Sequence, residues 1–445
     1  MTDLHKRILC AFICFVFLLS LCSCSLFEKS SNNNLPSSGN VTGGNNALSD
    51  NSEHYNVGEA LVITDSPYKK INLSNGYNAL ETDAQKLCYQ KMSTAVLSVS
   101  NEKTADGYYC VDRVVIPGVD ISNSELRLVI AAFLEDNPQV FWLGSTFGYA
   151  NNGSTHLQMY SLASAEELKE MISSLNNKID EIISQIPTGL DEYERELFIH
   201  DYIIDSCEYD ESVKTIKDGY EAFTPYGALV NQKAVCEGYS KSFQLLLSQV
   251  GVESINVIGN GRQQLHMWNG VKLDDAWYYT DVTWDDSTEY SRYDYFNVTT
   301  QQIQSDHKIA GEYSDFTDDE ICGENGTPAN FNTFVPSCVS NKQNYYSKSA
   351  VKLYGFGGDY DEAVIQALVD AALQGEHYIS IYIDPLSLDY SLAYDELFGE
   401  TGYKFFEYVD NANYRLDTSY KIDRDSVSVV EKESINVVTV KILYI

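Results

Sequence analysis

Positive charge is scarce in this chain of 445 residues. Lysine and arginine together number 30 against 64 acidic residues, which gives a formal net charge of −34 at pH 7. A surface this acidic disfavours nucleic acid and anionic lipid as partners. The apolar content of 44% is ordinary for a globular protein, and the length predicts two or three domains.

The apolar run at the N-terminus, Ile8 to Leu21, is too short to be a stable membrane span. It follows two basic residues and ends in Leu21-Cys22-Ser23-Cys24, which resembles the signal of bacterial lipoproteins. The resemblance implies that residues 1–24 are a signal peptide, with cleavage before Cys24 and acylation of this cysteine. The alternative is an ordinary secretory signal in which the cysteines are incidental. Both alternatives predict export of the mature protein.

Residues 25–54 are rich in Ser, Asn and Gly and contain few apolar side chains. Such a segment cannot bury enough surface to offset the entropy lost on ordering, so we expect a flexible tether. A diacylated Cys24 followed by this tether would hold the folded part at the extracellular face of the cell membrane.

Ten cysteines are present, and four of them lie in the signal region. The pairs Cys88/Cys110 and Cys322/Cys338 are each close enough in sequence to form a disulfide, but spacing alone leaves the connectivity open. The six cysteines beyond the signal region are Cys88, Cys110, Cys207, Cys236, Cys322 and Cys338.

The patterns on either side of the middle of the chain predict two small α/β domains. Residues 55–160 combine a helix over 77–97, a capping box at Ser122 to Glu125 and a buried strand at Val140 to Leu143. Residues 313–345 are polar and are predicted to be a linker. Residues 346–445 predict helices over 361–373 and 391–406 and strands over 350–356, 378–383, 427–430 and 435–445. This last domain carries no catalytic motif and is interpreted as accessory.

The remaining segment, residues 161–312, is predicted to be the functional core. It begins with a helix capped by Ser164 and Glu167 that carries one apolar stripe, and a second helix follows over 191–207. His200 lies on the second helix. A single histidine on a helix is usually structural, and both helices are interpreted as scaffold.

Cys236 is expected in the first turn of a helix that ends at Gly251. The positive end of a helix favours a thiolate, and its free backbone N–H groups can bind an oxyanion. Taken alone, Cys236 could equally be a small buried apolar residue. The positions that share one face of this helix are Cys236, Tyr239, Phe243, Leu246, Leu247 and Val250.

Two strand-like runs, 265–273 and 276–284, flank Asp274-Asp275 and predict a hairpin with a two-residue turn. This register places His266 and Asp281 on the same face of the sheet as diagonal neighbours. Asp281 could then fix the tautomer of His266, which leaves the other ring nitrogen to deprotonate Cys236. Separately, His266 could be a core histidine and Asp281 a turn or cap residue.

Three motifs in this order resemble the bacterial branch of the transglutaminase-like superfamily. They are Ala234-Val235-Cys236-Glu237-Gly238-Tyr239, His266-Met267-Trp268-Asn269, and Trp277 to Asp285. A weaker similarity is the segment from Asp136 to Trp142, which resembles one that precedes the core in exported members.

The resemblance implies an α+β fold with a papain-like transglutaminase core, in which a helix bearing the cysteine packs on an antiparallel sheet bearing the histidine and aspartate. It also implies that Cys236 is the nucleophile, His266 the general base and acid, and Asp281 the residue that orients His266. Glu237 departs from the tryptophan of animal transglutaminases. Tyr226 and Gln232 are candidates for a second oxyanion donor beside the backbone N–H of Cys236.

The expected function is a surface-anchored cysteine enzyme that acts on amide bonds of peptides or proteins, including cell-wall peptides, through a thioester. The same triad would serve a peptidase, a deamidase or an amine transferase. No calcium loop is evident, and no cofactor or metal is expected. The alternative is a non-catalytic binding or wall-associated module on the same fold, which predicts that Cys236 is sealed from solvent.

Overall fold

The computed structural model describes residues 61–62, 73–287, 292–317, 331–399, 403–416 and 421–445. The predicted signal peptide, Cys24, the tether and Cys322 lie outside these residues. Two compact units are present: residues 1–290 with 306–337, and residues 291–305 with 338–445. Among the helices in the described ranges, none combines the length and apolar character needed to cross a membrane.

The first part of the first unit is a six-stranded sheet with three helices. The strand order is β1-β2-β3-β6-β4, with β5 paired to β6, and all the pairs are antiparallel. The strands are β1 (Leu61–Val62), β2 (Ser98–Lys103), β3 (Tyr109–Val111), β4 (Val114–Pro117), β5 (Leu143–Asn151) and β6 (Ser154–Ser161). The helices are α1 (Asn75–Ala79), α2 (Asp83–Ala95) and α3 (Asn123–Asp136).

Two local predictions for this part were wrong. The helix expected over 77–97 is two helices, because Thr82 caps a new helix by accepting from the backbone N–H of Gln85. The strand expected at Val140 to Leu143 is a turn, which follows Pro138, and strand β5 begins only at Leu143. The expected burial is correct, since Trp142 is fully buried and donates from Nε1 to the carbonyl of Val96 at 3.2 Å.

Two long helices follow, α4 (Ala165–Gln185) and α5 (Glu192–Ser206). The predicted capping box of α4 is confirmed: the Ser164 hydroxyl accepts from the Glu167 backbone N–H, and the Glu167 carboxylate accepts from the Ser164 N–H at 2.8 Å. The predicted apolar stripe of α4 is buried, which anchors this helix to the core. Its buried residues include Leu168, Met171, Ile172, Leu175, Ile179 and Ile182.

The central part of the first unit consists of a helix and a four-stranded antiparallel sheet of order β11-β10-β9-β12. Helix α7 (Cys236–Gln249) packs against β9 and β10, where Ser240 Oγ donates to the Met267 carbonyl at 2.8 Å and Gln244 Nε2 donates to the Ser254 carbonyl at 3.3 Å. The strands are β9 (Glu253–Gly261), β10 (Gln264–Leu273), β11 (Ala276–Thr280) and β12 (His307–Ile309). The shorter elements are β7 (Glu208–Tyr209), α6 (Ile216–Gly219), a π-helical turn (Gly227–Asn231), β8 (Lys233–Ala234) and α8 (Val282–Asp285).

The segment expected as a linker, 313–345, is packed where the structure describes it. Phe331 is buried, and the side chain of Asn332 donates to the carbonyls of Ile258 and Ala310 at 3.1 and 2.8 Å. The Tyr279 hydroxyl donates to the Pro336 carbonyl at 2.7 Å. These contacts lie within the first unit, with Asn332 beside β9 and Pro336 beside β11.

The second unit has its own apolar core beneath a four-stranded sheet of order β13-β14-β16-β15. The helix expected over 391–406 is two helices: the first ends at Phe398, where Gly399 is extended, and the second begins at Lys404 after Tyr403, which adopts the left-handed conformation. The strands are β13 (Val351–Leu353), β14 (Tyr378–Ile383), β15 (Ser428–Lys432) and β16 (Val437–Lys441). The helices are α9 (Thr300–Ile303), α10 (Tyr345–Ser349), α11 (Asp359–Gln374), α12 (Tyr390–Phe398) and α13 (Lys404–Arg415).

Candidate active site

Cys236 is the first residue of α7, where the sequence predicts it, and its side chain is half-buried rather than sealed. The preceding residue, Val235, has no side chain able to accept a hydrogen bond and leaves this helix end uncapped. The backbone N–H groups of the first turn therefore receive no side-chain cap from this residue, as an oxyanion site at a helix start requires. Glu237, the departure from animal transglutaminases, forms an ion pair with Lys241 at 2.6 Å.

The hairpin has the predicted register, with Leu273 opposite Ala276 and Asn269 opposite Thr280. Asp274 and Asp275 have φ of 49° and 63°, the left-handed conformation that suits a two-residue turn between twisted strands.

The second strand is shorter than predicted, because it ends at Thr280 instead of continuing to Trp284. Asp281 begins helix α8 as its N-cap, with Oδ1 accepting from the backbone N–H of Thr283 at 3.1 Å and of Trp284 at 3.2 Å. Asp281 is therefore a cap residue as well, and its second oxygen faces the histidine.

The side chain of His266 meets that second oxygen: Nε2 lies 2.7 Å from Oδ2 of Asp281. Both side chains are buried, at 7% and 0% exposure. Burial by itself lowers the pKa of His266, but the Asp281 carboxylate outweighs it and raises that pKa to about 10. In return, His266 and a second histidine, His307, hold the pKa of Asp281 well below its usual range despite burial.

The thiol of Cys236 is a neighbour of His266 and, after Asp281, also acts to raise the pKa of that imidazole. Because Nε2 is bonded to Asp281, Nδ1 is the ring nitrogen that remains for the sulfur. The structure thus brings together the three residues singled out from the sequence, in the order thiol, imidazole, carboxylate.

Two tryptophan rings enclose His266. Trp268 stacks on it with a ring separation of 5.9 Å, and Trp284 lies at 5.4 Å. Strand β9 makes room for these rings with glycines: a Cβ at Gly261 would lie 2.6 Å from the Trp284 ring, and one at Gly259 would meet Trp268. Apolar walls of this kind keep water from the imidazole–carboxylate pair and strengthen their attraction.

A second histidine, which the sequence analysis did not identify, reaches the same carboxylate. His307 on β12 places Nε2 3.0 Å from Oδ2 of Asp281 and Nδ1 2.7 Å from Oδ1 of Asp306. The donor atoms of His266, Asp281 and His307 lie within 4.8 Å of one another, a spacing that a metal ion could bridge. Hydrogen bonds already join these atoms, so their proximity needs no ion to explain it.

His200 is fully buried, and its two ring nitrogens lie 3.1 Å from the carboxylates of Asp201 and Asp285. Burial lowers its pKa, but the two carboxylates together raise it above the ordinary value. This environment agrees with the structural role expected for it.

The two candidates for a further oxyanion donor lie in different settings. The ring of Tyr226 stacks on Phe141 with a separation of 5.7 Å. Gln232 is exposed and left-handed (φ 58°), where it ends the π-helical turn before Cys236. Their proposed role stays a prediction.

Cys88 and Cys110 are free thiols, so the disulfide considered for them is excluded. Burial raises the pKa of Cys88 and of Cys207 to about 12, and it also raises that of half-buried Cys110. Burial therefore disfavours the thiolate at these three cysteines.

Comparisons with known proteins agree with the central motifs. Residues 181–282 match the family model described as the transglutaminase-like superfamily. This range includes Cys236, His266 and Asp281 and ends before His307.

Kyphoscoliosis peptidase of Mus musculus and that of Homo sapiens are each 29% identical over 124 residues, which is 25% of this chain and 18% of theirs. The similarity therefore spans less than a fifth of the length of these curated relatives. A crystal structure of a TGase aligns with 39% of this chain and 50% of that chain, at 16% identity and a TM-score of 0.23. Residues 181–282 are thus a transglutaminase-like domain within this chain.

Proposed function

We propose that this protein is an exported cysteine enzyme that cleaves or transfers amide bonds of peptides or proteins through a thioester on Cys236. The observation that carries the proposal is the His266–Asp281 pair, with Cys236 as a neighbour of the imidazole at the uncapped start of a helix. The half-buried thiol also favours catalysis over a non-catalytic module, which would have it sealed.

The charges of the site suit the first chemical step. The raised pKa of His266 keeps its imidazole protonated near neutral pH, and a thiolate beside an imidazolium is the reactive form of a cysteine. The thiolate attacks the amide carbonyl carbon, and the oxyanion that forms is stabilised by backbone N–H groups of the first turn of α7. His266 then gives its proton to the leaving nitrogen as the C–N bond breaks, which leaves a thioester on Cys236 and releases an amine or ammonia.

The second step reverses these roles. Neutral His266 takes a proton from water or from a primary amine, which attacks the thioester carbonyl and expels the Cys236 thiolate. Water completes a peptidase or deamidase reaction, and an amine completes a transfer. We favour hydrolysis, since the curated relatives carry the name peptidase, although they share only a fraction of their length with this chain.

The substrate is proposed from the location. An enzyme held by an acylated Cys24 and a tether outside the cell membrane would meet cell-wall peptides and extracellular proteins. Its net charge of −34 also argues against nucleic acid as a substrate.

Labelling with iodoacetamide tests the nucleophile. At pH 7 one thiol should react fast in the wild type, and Cys236→Ala should abolish this fast phase. Cys110→Ala is the matched control, because Cys110 is also half-buried but has a pKa raised by burial, and it should keep the fast phase. Equal labelling of the wild type and Cys236→Ala would refute the proposal.

Activity against peptide amides then separates the outcomes. Released amine with free carboxylate product indicates hydrolysis, and incorporation of an added primary amine indicates transfer. Fast labelling of Cys236 without turnover of any amide would favour the binding module instead.

A further inference from the structure

His307 lies outside the segment that matches the family model, on a three-residue strand at the edge of the central sheet. It is nevertheless 3% exposed, and its ring is enclosed by Trp284 at 4.0 Å and Trp268 at 4.9 Å. The same two tryptophans flank His266. The two imidazoles, 5.5 Å apart, therefore share one enclosure with the Asp281 carboxylate between them.

The register of the sheet explains why these rings meet. His266 pairs with Gly259 and His307 pairs with Gly261, on opposite sides of strand β9. Paired residues share a sheet face, as do positions i and i+2, so both histidines project from the same face. On that face, strand β9 carries Gly259 and Gly261 between the two histidines. The absence of side chains leaves room for the rings, because a Cβ at Gly261 would lie 3.3 Å from Cδ2 of His266.

The Asp281 carboxylate has its hydrogen-bonding capacity filled by these neighbours. Oδ1 accepts from two backbone N–H groups of α8, while Oδ2 faces both imidazoles, at 2.7 and 3.0 Å. A carboxylate held at both oxygens cannot rotate, so the direction from which it meets His266 is fixed.

The contacts of the His307 ring are those of an imidazolium. Its two ring nitrogens each face a carboxylate, Asp281 and Asp306, and a ring with both nitrogens donating is an imidazolium. Burial lowers its pKa, but the two carboxylates raise it above the ordinary value, and His266 opposes them. A further charged group in this region is Arg262, whose guanidinium lies 5.3 Å from the Trp284 ring.

We propose, building on the function proposed above, that His307 is a positioning residue that holds the Asp281 carboxylate and shares its negative charge. Without that sharing, Asp281 would bind the His266 proton more tightly, and His266 would release it less readily to the leaving amine. His307 thus acts through Asp281, without touching the substrate.

The test is the pH dependence of Cys236 alkylation by iodoacetamide in His307→Gln. Glutamine keeps an N–H donor but carries no charge, so the alkaline limb, which reports His266, should move up by about half a unit to one unit. Turnover of a peptide amide should lose about tenfold in kcat with KM changed less than twofold, because a weakened general acid affects chemistry and not binding.

His200→Gln is the matched control. His200 is also fully buried between two carboxylates, so the substitution has a similar cost in stability, but its partners are Asp201 and Asp285. The alkaline limb of Cys236 alkylation in His200→Gln should match that of the wild type. Asp306→Asn is a second variant at a more exposed position, and it should move the limb in the same direction as His307→Gln by a smaller amount.

Nitrogen-15 NMR of the histidine rings in wild-type protein gives a readout that needs no activity. His307 should show two N–H signals at pH 7.5. A neutral His307 ring, or an alkaline limb that stays in place in both His307→Gln and Asp306→Asn, would overturn the inference. Failure of Cys236 to react fast in the wild type would instead refute the proposed function.

Discussion

Asp281→Asn removes the negative charge that two buried imidazoles share. Asp281 is fully buried, with Oδ2 2.7 Å from His266 and 3.0 Å from His307. Asparagine has nearly the same shape, and its amide oxygen can still accept from the N–H groups of α8. The substitution therefore tests charge more than packing.

The structure fixes the sign and scale of the effect on stability. The pKa of His266 is raised to about 10, because Asp281 outweighs the lowering effect of burial. The unfolded chain has a histidine pKa of about 6.5. The contribution of His266 to stability is thus fully present below pH 6.5 or so and is lost as pH rises to about 10. One such proton gives a slope of at most about 1.4 kcal/mol per pH unit.

In Asp281→Asn the carboxylate that most raises the pKa of His266 is gone, and burial then favours the neutral imidazole, so this fall in stability between pH 7 and 10 should largely disappear. At pH 7 the variant should lose about 3–5 kcal/mol in its free energy of unfolding, as when one partner of a buried pair is removed. Amide turnover should fall about 10⁴-fold, the loss seen when the carboxylate of a Ser-His-Asp triad becomes an amide.

Urea unfolding at several pH values measures the effect, with Asp275→Asn as the matched control. Asp275 undergoes the same chemical change in the same hairpin, where it is exposed and left-handed, a conformation asparagine tolerates. The free energy of unfolding of the control should depend on pH as that of the wild type does. The reasoning is refuted if the free energy of unfolding of Asp281→Asn also falls between pH 7 and 10 as in the wild type.

Three further substitutions test other parts of the first unit. Gly261→Ala should lower the free energy of unfolding by about 1–3 kcal/mol in urea, because its Cβ would lie 2.6 Å from the Trp284 ring; an unchanged midpoint would contradict the tight fit. Glu135→Gln should stabilise the protein more at pH 9 than at pH 6. Burial raises the pKa of Glu135 to about 8, so the stability that its protonated form contributes at low pH is lost as pH rises through that value. Glutamine stays neutral and does not lose this contribution. Thermal unfolding at the two pH values would check this, and a gain at pH 6 as large as that at pH 9 would argue against it. Ser164→Ala should lower the free energy of unfolding by about 1 kcal/mol, because it removes the acceptor for the backbone N–H of Glu167. Chemical unfolding at pH 7 measures this loss, and an unchanged free energy of unfolding would contradict the prediction.

Local patterns predicted the elements that carry the site. The spacing of apolar residues after Cys236 places this cysteine at a helix start, and two aspartates between alternating runs give the hairpin and its register. Both signals are short-range, because a helix face and a two-residue turn are each determined by neighbours in sequence.

Local patterns failed where a polar side chain competes with a regular element. Strand β11 was expected to continue to Trp284, but Asp281 ends it by accepting from the next backbone N–H groups. The linker expected over 313–345 likewise contains Asn332, whose amide binds two backbone carbonyls of the sheet region. Such bonds depend on partners that a sequence pattern does not reveal.

The sequence by itself determined that Cys236 begins a helix and that His266 and Asp281 share one hairpin, because a helix face and a two-residue turn are local; the resemblance to the transglutaminase-like superfamily joined the three into one site. Only the tertiary structure decided that His307 joins them. Its approach requires an edge strand to pair with β9 across two glycines, so that two imidazoles from distant parts of the chain reach one oxygen. A contact between such distant segments depends on packing of the whole sheet, and the local hydrophobic periodicity of the sequence does not predict it.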